Sequence, residues 1–320
     1  MRTRRVGASN LLVSRLGLGT MAWGRDTPAS EAVALLKRFR DAGGTLLDTA
    51  AAYGSGEVES LLGRLFRKTV SRAEFHVATK SGYVLRDGVR VVDTARQSLL
   101  ADLEGSLRRL GADHVDLWQI HAWGAAPIEE TLAAADEAVV SGKARTVGVS
   151  NYIGWQLALA ATWQRARQSP APVSSVQVEY SLLARRAELE ILPCCQALDV
   201  GFFPWSALGR GVLTGRYHKG KPPGSRAASD NLAWFVEPYL GEACDGVVDA
   251  VIRASQGLGL SPAQVALLWV RDAPGVTAPV VGPRTAAQLE PLLAVEDEEL
   301  PEPIAAALDD VSGGPNLLRP

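Results

Sequence analysis

The most constraining feature of this 320-residue sequence is a regular alternation of short apolar runs with longer amphipathic segments. The runs are nearly continuous in apolar residues, which is typical of parallel strands covered on both faces. The segments between them carry apolar residues at i, i+3 and i+4, which predicts helices. We predict eight strands, at Ser14–Gly19, Thr45–Asp48, Phe75–Thr79, Val115–Ile120, Arg145–Gly148, Ser175–Val178, Gly201–Pro204 and Thr277–Val281.

Helices are predicted after the strands in turn. Thr27 and Pro28 favour the start of the first helix, Gly43 its end, and Gly111 the end of the third. Because strand and helix alternate throughout, we predict a single α/β domain over residues 1–320, a (β/α)8 TIM barrel with long loops on its C-terminal face. The predicted helices are Pro28–Ala42, Glu57–Arg67, Asp93–Leu110, Ile128–Ser141, Tyr152–Arg167, Glu188–Ala197, Gly246–Ala254 with Ser261–Val270, and Thr285–Ala294.

Three segments fall outside this alternation. SNLLVSR, at residues 9–15, is predicted to complete a short hairpin that plugs the bottom of the barrel. Residues 206–245 are rich in Gly, Pro and Ser, and their length is typical of a functional lid or of disorder, with its tip at 218–231. The tail from Glu296 onward also exceeds ordinary loop length, which is typical of a functional lid or of disorder.

Composition limits the classes of partner. The net charge is -2 with 47% apolar residues, so the basic field needed for nucleic acid or anionic membranes is missing, and a small molecule is the expected partner. No stretch resembles a signal peptide or a membrane span. An odd number of cysteines, two of them adjacent, argues against a disulfide framework, and we expect a cytoplasmic protein. Whether it is a monomer or a homo-oligomer is left open.

Polar side chains end three successive predicted strands. Asp48 ends GTLLD, Lys80 ends FHVATK and His121 ends VDLWQIH, and Tyr53 lies in the loop after the first of these. In a barrel of this type the chemistry lies at the carboxyl ends of the strands, so these ends should meet at one rim.

Together these side chains can protonate a carbonyl oxygen. A cation such as Lys80 stabilises phenolate, so it is expected to lower the pKa of Tyr53, while Asp48 keeps the lysine charged and in place. Neutral His121 could orient the carbonyl while Tyr53 acts as general acid. Since no side chain donates hydride, a nicotinamide cofactor is implied.

These motifs resemble the aldo-keto reductase superfamily, including its bacterial members and the branch related to potassium-channel β subunits. The resemblance rests on DTAAAYG with Lys80 and His121, and it continues through LGLGTMAWG (16–24), VGVSN (147–151), VQVEYSLL (176–183), FFPWSALGRGVLTGRY (202–217) and VVGPRTAAQL (280–289). It implies a barrel fold, a catalytic tetrad of Asp48, Tyr53, Lys80 and His121, and NADPH-dependent reduction of aldehydes or ketones to alcohols.

The resemblance also implies a cofactor site. Ser150, Asn151 and Gln177 would bind the nicotinamide carboxamide, and Trp205 would stack on the ring. Because arginine matches phosphate bidentately, Arg284 favours NADP(H) over NAD(H). An asparagine that many relatives place after this arginine is absent here, where Glu290-Pro291-Leu292 stands. The remaining implied cofactor contacts are Gly19, Thr20, Met21, Ser206, Leu208, Gly209, Arg210, Gly282 and Gln288.

The substrate is expected among the loops around the tetrad. Trp23 and Trp123 are the predicted substrate-binding residues, because two indoles favour flat or apolar molecules. Ala22, Tyr83, Ala122, Trp118 and the lid are further candidates for the pocket wall. Substrate identity does not follow from the tetrad, since loop-lined pockets vary within one fold.

The sequence contains signals for three other interpretations. GLGTMA (17–22) with Asp48 matches a dinucleotide-binding fingerprint, but WGRDT separates the glycines from the next helix. A metal-dependent hydrolase is disfavoured, because the histidines form neither H-x-H nor HExxH. An NADPH-binding regulatory subunit of a larger assembly, with little turnover, is the alternative that the sequence leaves open.

Overall fold

A closed barrel of eight parallel strands forms the centre of the protein in the computed structural model, which describes residues 1–218, 220–229 and 232–313. Each strand pairs in parallel with the next, and the predicted TIM barrel is confirmed. We number all strands along the chain, so that β1 and β2 precede the barrel and β6 and β7 lie outside it. The barrel strands are β3 (Gly17–Gly19), β4 (Leu46–Asp48), β5 (His76–Ser81), β8 (Val115–Ile120), β9 (Ala144–Ser150), β10 (Val173–Glu179), β11 (Gly201–Trp205) and β12 (Val280–Val281).

Helices cover the outside of the barrel. The predicted helices are all present, with boundaries shifted by a few residues, and α7 and α11 were not predicted. No helix in the described ranges combines the length and apolar character needed to cross a bilayer. The helices are α1 (Ala29–Asp41), α2 (Glu57–Lys68), α3 (Arg96–Leu110), α4 (Ile128–Val140), α5 (Gly154–Ala166), α6 (Ile191–Ala197), α7 (Ala233–Val236), α8 (Glu242–Leu258), α9 (Pro262–Asp272), α10 (Ala286–Ala294) and α11 (Glu302–Val311).

The predicted N-terminal hairpin closes the bottom of the barrel. Strands β1 (Thr3–Arg5) and β2 (Leu12–Ser14) pair antiparallel. Val6 and Val13, both fully buried, join a cluster with Leu46, Leu117 and Phe203 from the barrel strands. The hairpin therefore fills the lower interior of the barrel with apolar side chains.

A second hairpin, absent from the prediction, follows the strand that carries Lys80. Strands β6 (Tyr83–Arg86) and β7 (Val89–Val92) pair antiparallel around Asp87 and Gly88, whose φ angles are 52° and 77°. Positive φ at both central residues is the geometry that Asp-Gly favours in a two-residue turn. The Asp-Gly pair was thus the sequence signal for this hairpin.

Helix ends agree in part with the prediction. Gly43 and Gly111 have φ angles of 78° and 65°, as expected after a helix. Thr27 does not cap α1: its backbone pairs with Ala22 and Gly24, and its buried hydroxyl has no hydrogen-bond partner in the described residues. Pro28 occupies the N-cap position instead, without a side-chain hydrogen bond.

The two long segments, residues 206–245 and the tail from Glu296, form short helices and turns. Residues 206–245, which we call the lid, contain one turn of α-helix (α7) and several 3-10 turns, and they run into α8. Residues 219, 230 and 231 of the predicted lid tip lie outside the described residues. The tail from Glu296 forms α11, whose Leu308 is buried, and Arg185 Nη1 donates to the carbonyl oxygen of Asp309 at 3.0 Å. Residues 314–320 are outside the described part.

A buried carboxylate connects two helices to the strand that carries Lys80. Glu59 on α2 is fully buried and accepts a hydrogen bond from Thr79 of β5 at 2.5 Å. Its other oxygen accepts from Arg109 Nε of α3 at 2.8 Å. Since a buried carboxylate needs a cationic partner, this arginine holds the packing of α2 and α3 against β5.

We expect Arg109→Met to lower the free energy of unfolding by about 3 kcal/mol, because it leaves the Glu59 carboxylate buried without its cation. Urea denaturation followed by circular dichroism measures this change. Arg108→Met is the matched control, since Arg108 is exposed on the same helix, and its effect should stay within about 0.5 kcal/mol. Equal stability of the two variants would contradict the role assigned to Arg109.

Candidate active site

A cavity of about 750 Å³ opens at the carboxyl ends of the barrel strands. Its walls come from strand ends, from the loop after β4, from hairpin β6–β7 and from the lid. Most of the predicted site residues line it: Gly19, Met21, Asp48, Tyr53, His121, Ser150, Asn151, Gln177, Trp205, Ser206, Leu208, Arg210, Gly282, Arg284 and Gln288.

Lys80 and Asp48 form a buried ion pair at the floor of this cavity. Lys80 Nζ donates to Asp48 Oδ1 at 2.6 Å and to the carbonyl oxygen of Thr49 at 2.9 Å. Gln177 Nε2 donates to the same carboxylate oxygen at 2.8 Å. Burial alone would lower the pKa of Lys80, but Asp48 and then Tyr53 raise it, and the net pKa lies above its ordinary value. Lys80 is therefore a permanent cation at neutral pH.

Tyr53 lies directly beside this cation. It begins a 3-10 turn, Tyr53–Gly56, and its ring centroid is 5.3 Å from Lys80 Nζ. Burial raises the pKa of Tyr53 above its ordinary value of 10.0, and the ammonium of Lys80 offsets only part of that rise. Lys80 does lower the pKa of Tyr53, as predicted. The predicted net lowering of that pKa is wrong, because burial raises it by more. Tyr53 is consequently protonated at neutral pH.

His121 faces the same space as a neutral imidazole. Burial, Lys80 and Arg90 together hold the pKa of His121 well below its ordinary value of 6.5. Its ring makes edge contacts with Tyr83 and Tyr53, at centroid distances of 4.7 and 6.0 Å. Nδ1 is buried and has no hydrogen-bond partner in the described part of the chain. A neutral histidine can donate a hydrogen bond to a carbonyl oxygen without competing for its proton.

The residues expected to hold a carboxamide lie together on the neighbouring strand ends. Asn151 Nδ2 donates to the carbonyl oxygen of His121 at 3.0 Å, and its Oδ1 accepts from Trp205 Nε1 at 3.0 Å. Ser150 Oγ donates to the carbonyl oxygen of Gln177 at 3.0 Å. These bonds fix Trp205 as one wall of the cavity beside polar amide and hydroxyl groups.

The start of the lid curls around the cavity with left-handed backbone. The φ angles of Ser206, Gly209, Arg210 and Gly211 are 55°, 56°, 57° and 98°. Successive left-handed residues form concave turns of the kind that bind anions. At Gly209 a Cβ atom would lie 2.9 Å from Leu183, so glycine also permits the close packing of this turn.

Arg210 is already engaged by the protein. Its guanidinium forms a two-pronged ion pair with Glu179, with Nε–Oε1 and Nη2–Oε2 distances of 2.7 and 2.6 Å. It also lies over the ring of Phe235, 4.1 Å from the centroid. Arg210 lines the cavity, but the pair with Glu179 occupies its charge and anchors the lid, so its implied contact with a cofactor stays a prediction.

Two further arginines, Arg226 and Arg284, lack a carboxylate partner in the described residues. Arg226 Nη2 donates to the carbonyl oxygen of Gly282 at 3.1 Å, and Arg284 Nη2 donates to that of Gly224. Burial and the neighbouring Arg284 lower the pKa of Arg226. Within the described ranges neither guanidinium has a carboxylate within 4.0 Å. Gln288 Oε1 accepts from the backbone N–H of Arg284 at 2.9 Å, which fixes this end of the site.

Several predicted residues do not line the cavity. Thr20 is buried and donates from Oγ1 to the carbonyl oxygen of Asp48 at 2.9 Å, so it supports the acid from behind. Trp23 is 2% exposed in the core, and Trp123 packs against Tyr152 and Trp155 at centroid distances of 5.1 Å. Neither tryptophan lines this cavity, so the substrate-binding role predicted for Trp23 and Trp123 stays a prediction that the cavity wall does not support.

Other side chains build the wall in their place. Ala22 and Tyr83, which the sequence analysis named as candidates, line the cavity, together with Arg90, Trp234 and Phe235, which it did not name. Arg226 was also missed. The only signal for Arg90 was the Asp-Gly turn that places it opposite Leu85 on a hairpin.

Comparison with known proteins agrees with this geometry. The Aldo/keto reductase family model matches residues 15–312. The uncharacterized oxidoreductase YrpG of Bacillus subtilis is 35% identical over 97% of this chain and 95% of its own length. A probable voltage-gated potassium channel subunit beta of Oryza sativa is 32% identical over 88% and 87%, and the aldo-keto reductase YhdN of Bacillus subtilis is 29% identical over 90% and 86%. The match spans the whole barrel, and the chain belongs to the aldo/keto reductase family of oxidoreductases.

Proposed function

We propose that the protein is an NADPH-dependent reductase that converts aldehydes or ketones to alcohols. The observation that carries this proposal is the Lys80–Asp48 pair beside a protonated Tyr53 and a neutral His121 in one cavity. This set can donate a proton and a hydrogen bond to the same oxygen, as reduction of a carbonyl group requires.

The proton comes from Tyr53. As negative charge develops on the carbonyl oxygen, the Tyr53 hydroxyl transfers its proton to it, and the product is an alcohol. The phenolate left behind is stabilised by the ammonium of Lys80, which Asp48 and Thr49 hold in place. His121 orients the carbonyl through a hydrogen bond from its neutral ring.

The cavity suits a nicotinamide dinucleotide with an additional phosphate. NADPH, when bound, supplies the hydride that the carbonyl carbon receives. Ser150, Asn151 and Gln177 would hold the carboxamide. Arg226 and Arg284 would hold the 2′-phosphate, because two adjacent guanidiniums without a carboxylate partner in the described residues match a dianion.

A regulatory role is the second candidate function. Two similar proteins, from Oryza sativa and Arabidopsis thaliana, are named as probable potassium channel β subunits. In that case the protein would bind NADPH within a larger assembly with little turnover. Turnover of a simple aldehyde separates the two functions, since a pure regulator would oxidise NADPH only negligibly.

We expect Tyr53→Phe to lower kcat for aldehyde reduction by about 100- to 10,000-fold, the range for loss of a general acid. Stopped-flow or steady-state NADPH absorbance gives kcat, and quenching of tryptophan fluorescence gives the Kd for NADPH, which should remain nearly unchanged. Tyr152→Phe is the control, because this buried phenol lies outside the cavity. Loss of NADPH binding together with activity would contradict the role of Tyr53 as acid.

We expect kcat/KM for an uncharged aldehyde to stay constant between about pH 7 and about pH 9, since the two groups titrate outside this window. The pKa of Tyr53 lies above 10.0, so the acid keeps its proton, and the pKa of His121 lies below 6.5, so the imidazole stays neutral. Steady-state rates across this range, with circular dichroism as the control for folding, measure the profile. A decline with an apparent pKa inside the window would contradict these protonation states.

We expect Arg226→Gln and Arg284→Gln each to reduce the preference for NADPH over NADH by about 10-fold or more, because charge-assisted hydrogen bonds to the 2′-phosphate are lost. The measurement is the ratio of kcat/KM for the two cofactors with one aldehyde. Arg253→Gln controls for the change in net charge, since Arg253 is exposed on α8 and outside the cavity. Equal use of both cofactors by the unmodified protein would overturn the assignment of this arginine pair.

A further inference from the structure

Arg90 is a cation in the cavity that the proposed reaction does not use. It belongs to β7 of the second hairpin, where it stands opposite Leu85. Its side chain lines the same cavity as Tyr53, His121 and Tyr83. The hairpin follows β5 directly, so the strand that carries Lys80 continues into the element that carries Arg90.

A hydrogen bond fixes Arg90 beside the proton donor. Its Nη2 donates to the carbonyl oxygen of Ala52 at 3.1 Å, and Ala52 immediately precedes Tyr53. The positive charge acts on both reacting side chains, since Arg90 contributes to lowering the pKa of His121 and acts to lower that of Tyr53. Arg90 is thus held close to the position where the carbonyl group would react.

The guanidinium of Arg90 has no counter-ion in the described ranges. No carboxylate of these residues lies within 4.0 Å of it, whereas Arg86 on the same hairpin pairs with Asp93. Asp48, the acid in the cavity wall, is held by Lys80 and Gln177. A single Ala52 carbonyl leaves most of the guanidinium donors available, and their planar fork matches a carboxylate.

We propose that the substrate is a carbonyl compound that also carries a carboxylate, and that Arg90 binds this carboxylate while the carbonyl group faces Tyr53 and His121. This inference rests on the proposed reductase function and names the substrate class for the same site. A monoanion suits one exposed guanidinium in the cavity wall. A phosphate dianion would be better matched by two guanidiniums, as at Arg226 and Arg284.

The test compares charged and uncharged substrates of the same shape. Rates of NADPH oxidation are measured with the 2-, 3- and 4-carboxybenzaldehydes and with the corresponding methylbenzaldehydes. We expect at least one carboxybenzaldehyde to have a lower KM than its methyl analogue. Arg90→Gln should raise the KM of that carboxybenzaldehyde about 10-fold. This is the low end of the range for hydrogen bonds to a charged group, because Arg90 is exposed. The KM for the methyl analogue should change little, and kcat should change equally for both.

Two variants sharpen the comparison. Arg90→Lys keeps the charge but loses the fork, so it should recover part of the affinity. Arg86→Gln removes a cation from the same hairpin outside the cavity wall, and it should leave both substrates unaffected. An equal rise in KM for charged and uncharged aldehydes in Arg90→Gln would mean that Arg90 only supports the wall, and it would overturn the proposal.

A binding measurement keeps this test separate from the proposed function. Ligand-observed NMR gives the affinities of 4-carboxybenzyl alcohol and 4-methylbenzyl alcohol for the unmodified protein and for Arg90→Gln. If no aldehyde is reduced, the reductase function fails, while tighter binding of the carboxylate that disappears in Arg90→Gln would still support the anion site. Equal affinities of the two alcohols for the unmodified protein would refute the site whether or not aldehydes are turned over.

Discussion

The contact between Lys80 and Asp48 is the interaction on which the rest of the site depends. Neither charge could remain buried alone, and each is further satisfied by neighbours, Lys80 by the Thr49 carbonyl and Asp48 by Gln177. The permanent ammonium then acts in two directions, because it disfavours protonation of His121 and favours ionisation of Tyr53. One buried charge thus acts on both groups that would contact a carbonyl oxygen, although burial is the larger cause of the pKa shift in each.

The distribution of charge around the cavity differs from that of the whole chain. The protein carries a net charge of -2, yet arginines from the hairpin, the lid and the segment after β12 meet at one opening. Arg210 is neutralised by Glu179, and Arg90, Arg226 and Arg284 have no carboxylate partner in the described residues. Such an opening attracts anions selectively, even though the protein as a whole repels them weakly.

The sequence predicted the barrel and the meeting of Asp48, Tyr53, Lys80 and His121 because both depend on local pattern. Asp48, Lys80 and His121 end apolar runs, and parallel strands bring those ends to one rim. Contacts distant in sequence could not be predicted in this way. The partner of Arg210 is Glu179, and Arg226 approaches Gly282 only because the lid folds back onto the segment after β12.

The positions of the two tryptophans outside the cavity wall and the raised pKa of Tyr53 share one physical reason. Trp23 and Trp123 stand in the loops after β3 and β8, but the direction of a side chain is set by packing, which a linear pattern does not encode. The net pKa of Tyr53 likewise depends on how deeply the phenol is buried, and burial outweighs the nearby charge. Adjacent charges can be inferred from motifs, whereas desolvation requires the folded structure.

Hairpin β6–β7 has strands that pair with each other and not with any barrel strand. Its hydrogen-bond ladder can therefore change without altering the ladder of the barrel, while its inner face still borders the reacting groups. Because of this separation, substrate preference can diverge among descendants through exchange of a dozen or so residues, with the proton-transfer apparatus inherited intact. The hairpin is a separate two-stranded unit of the fold, so transplanting it between related barrels is a route to redesigned selectivity.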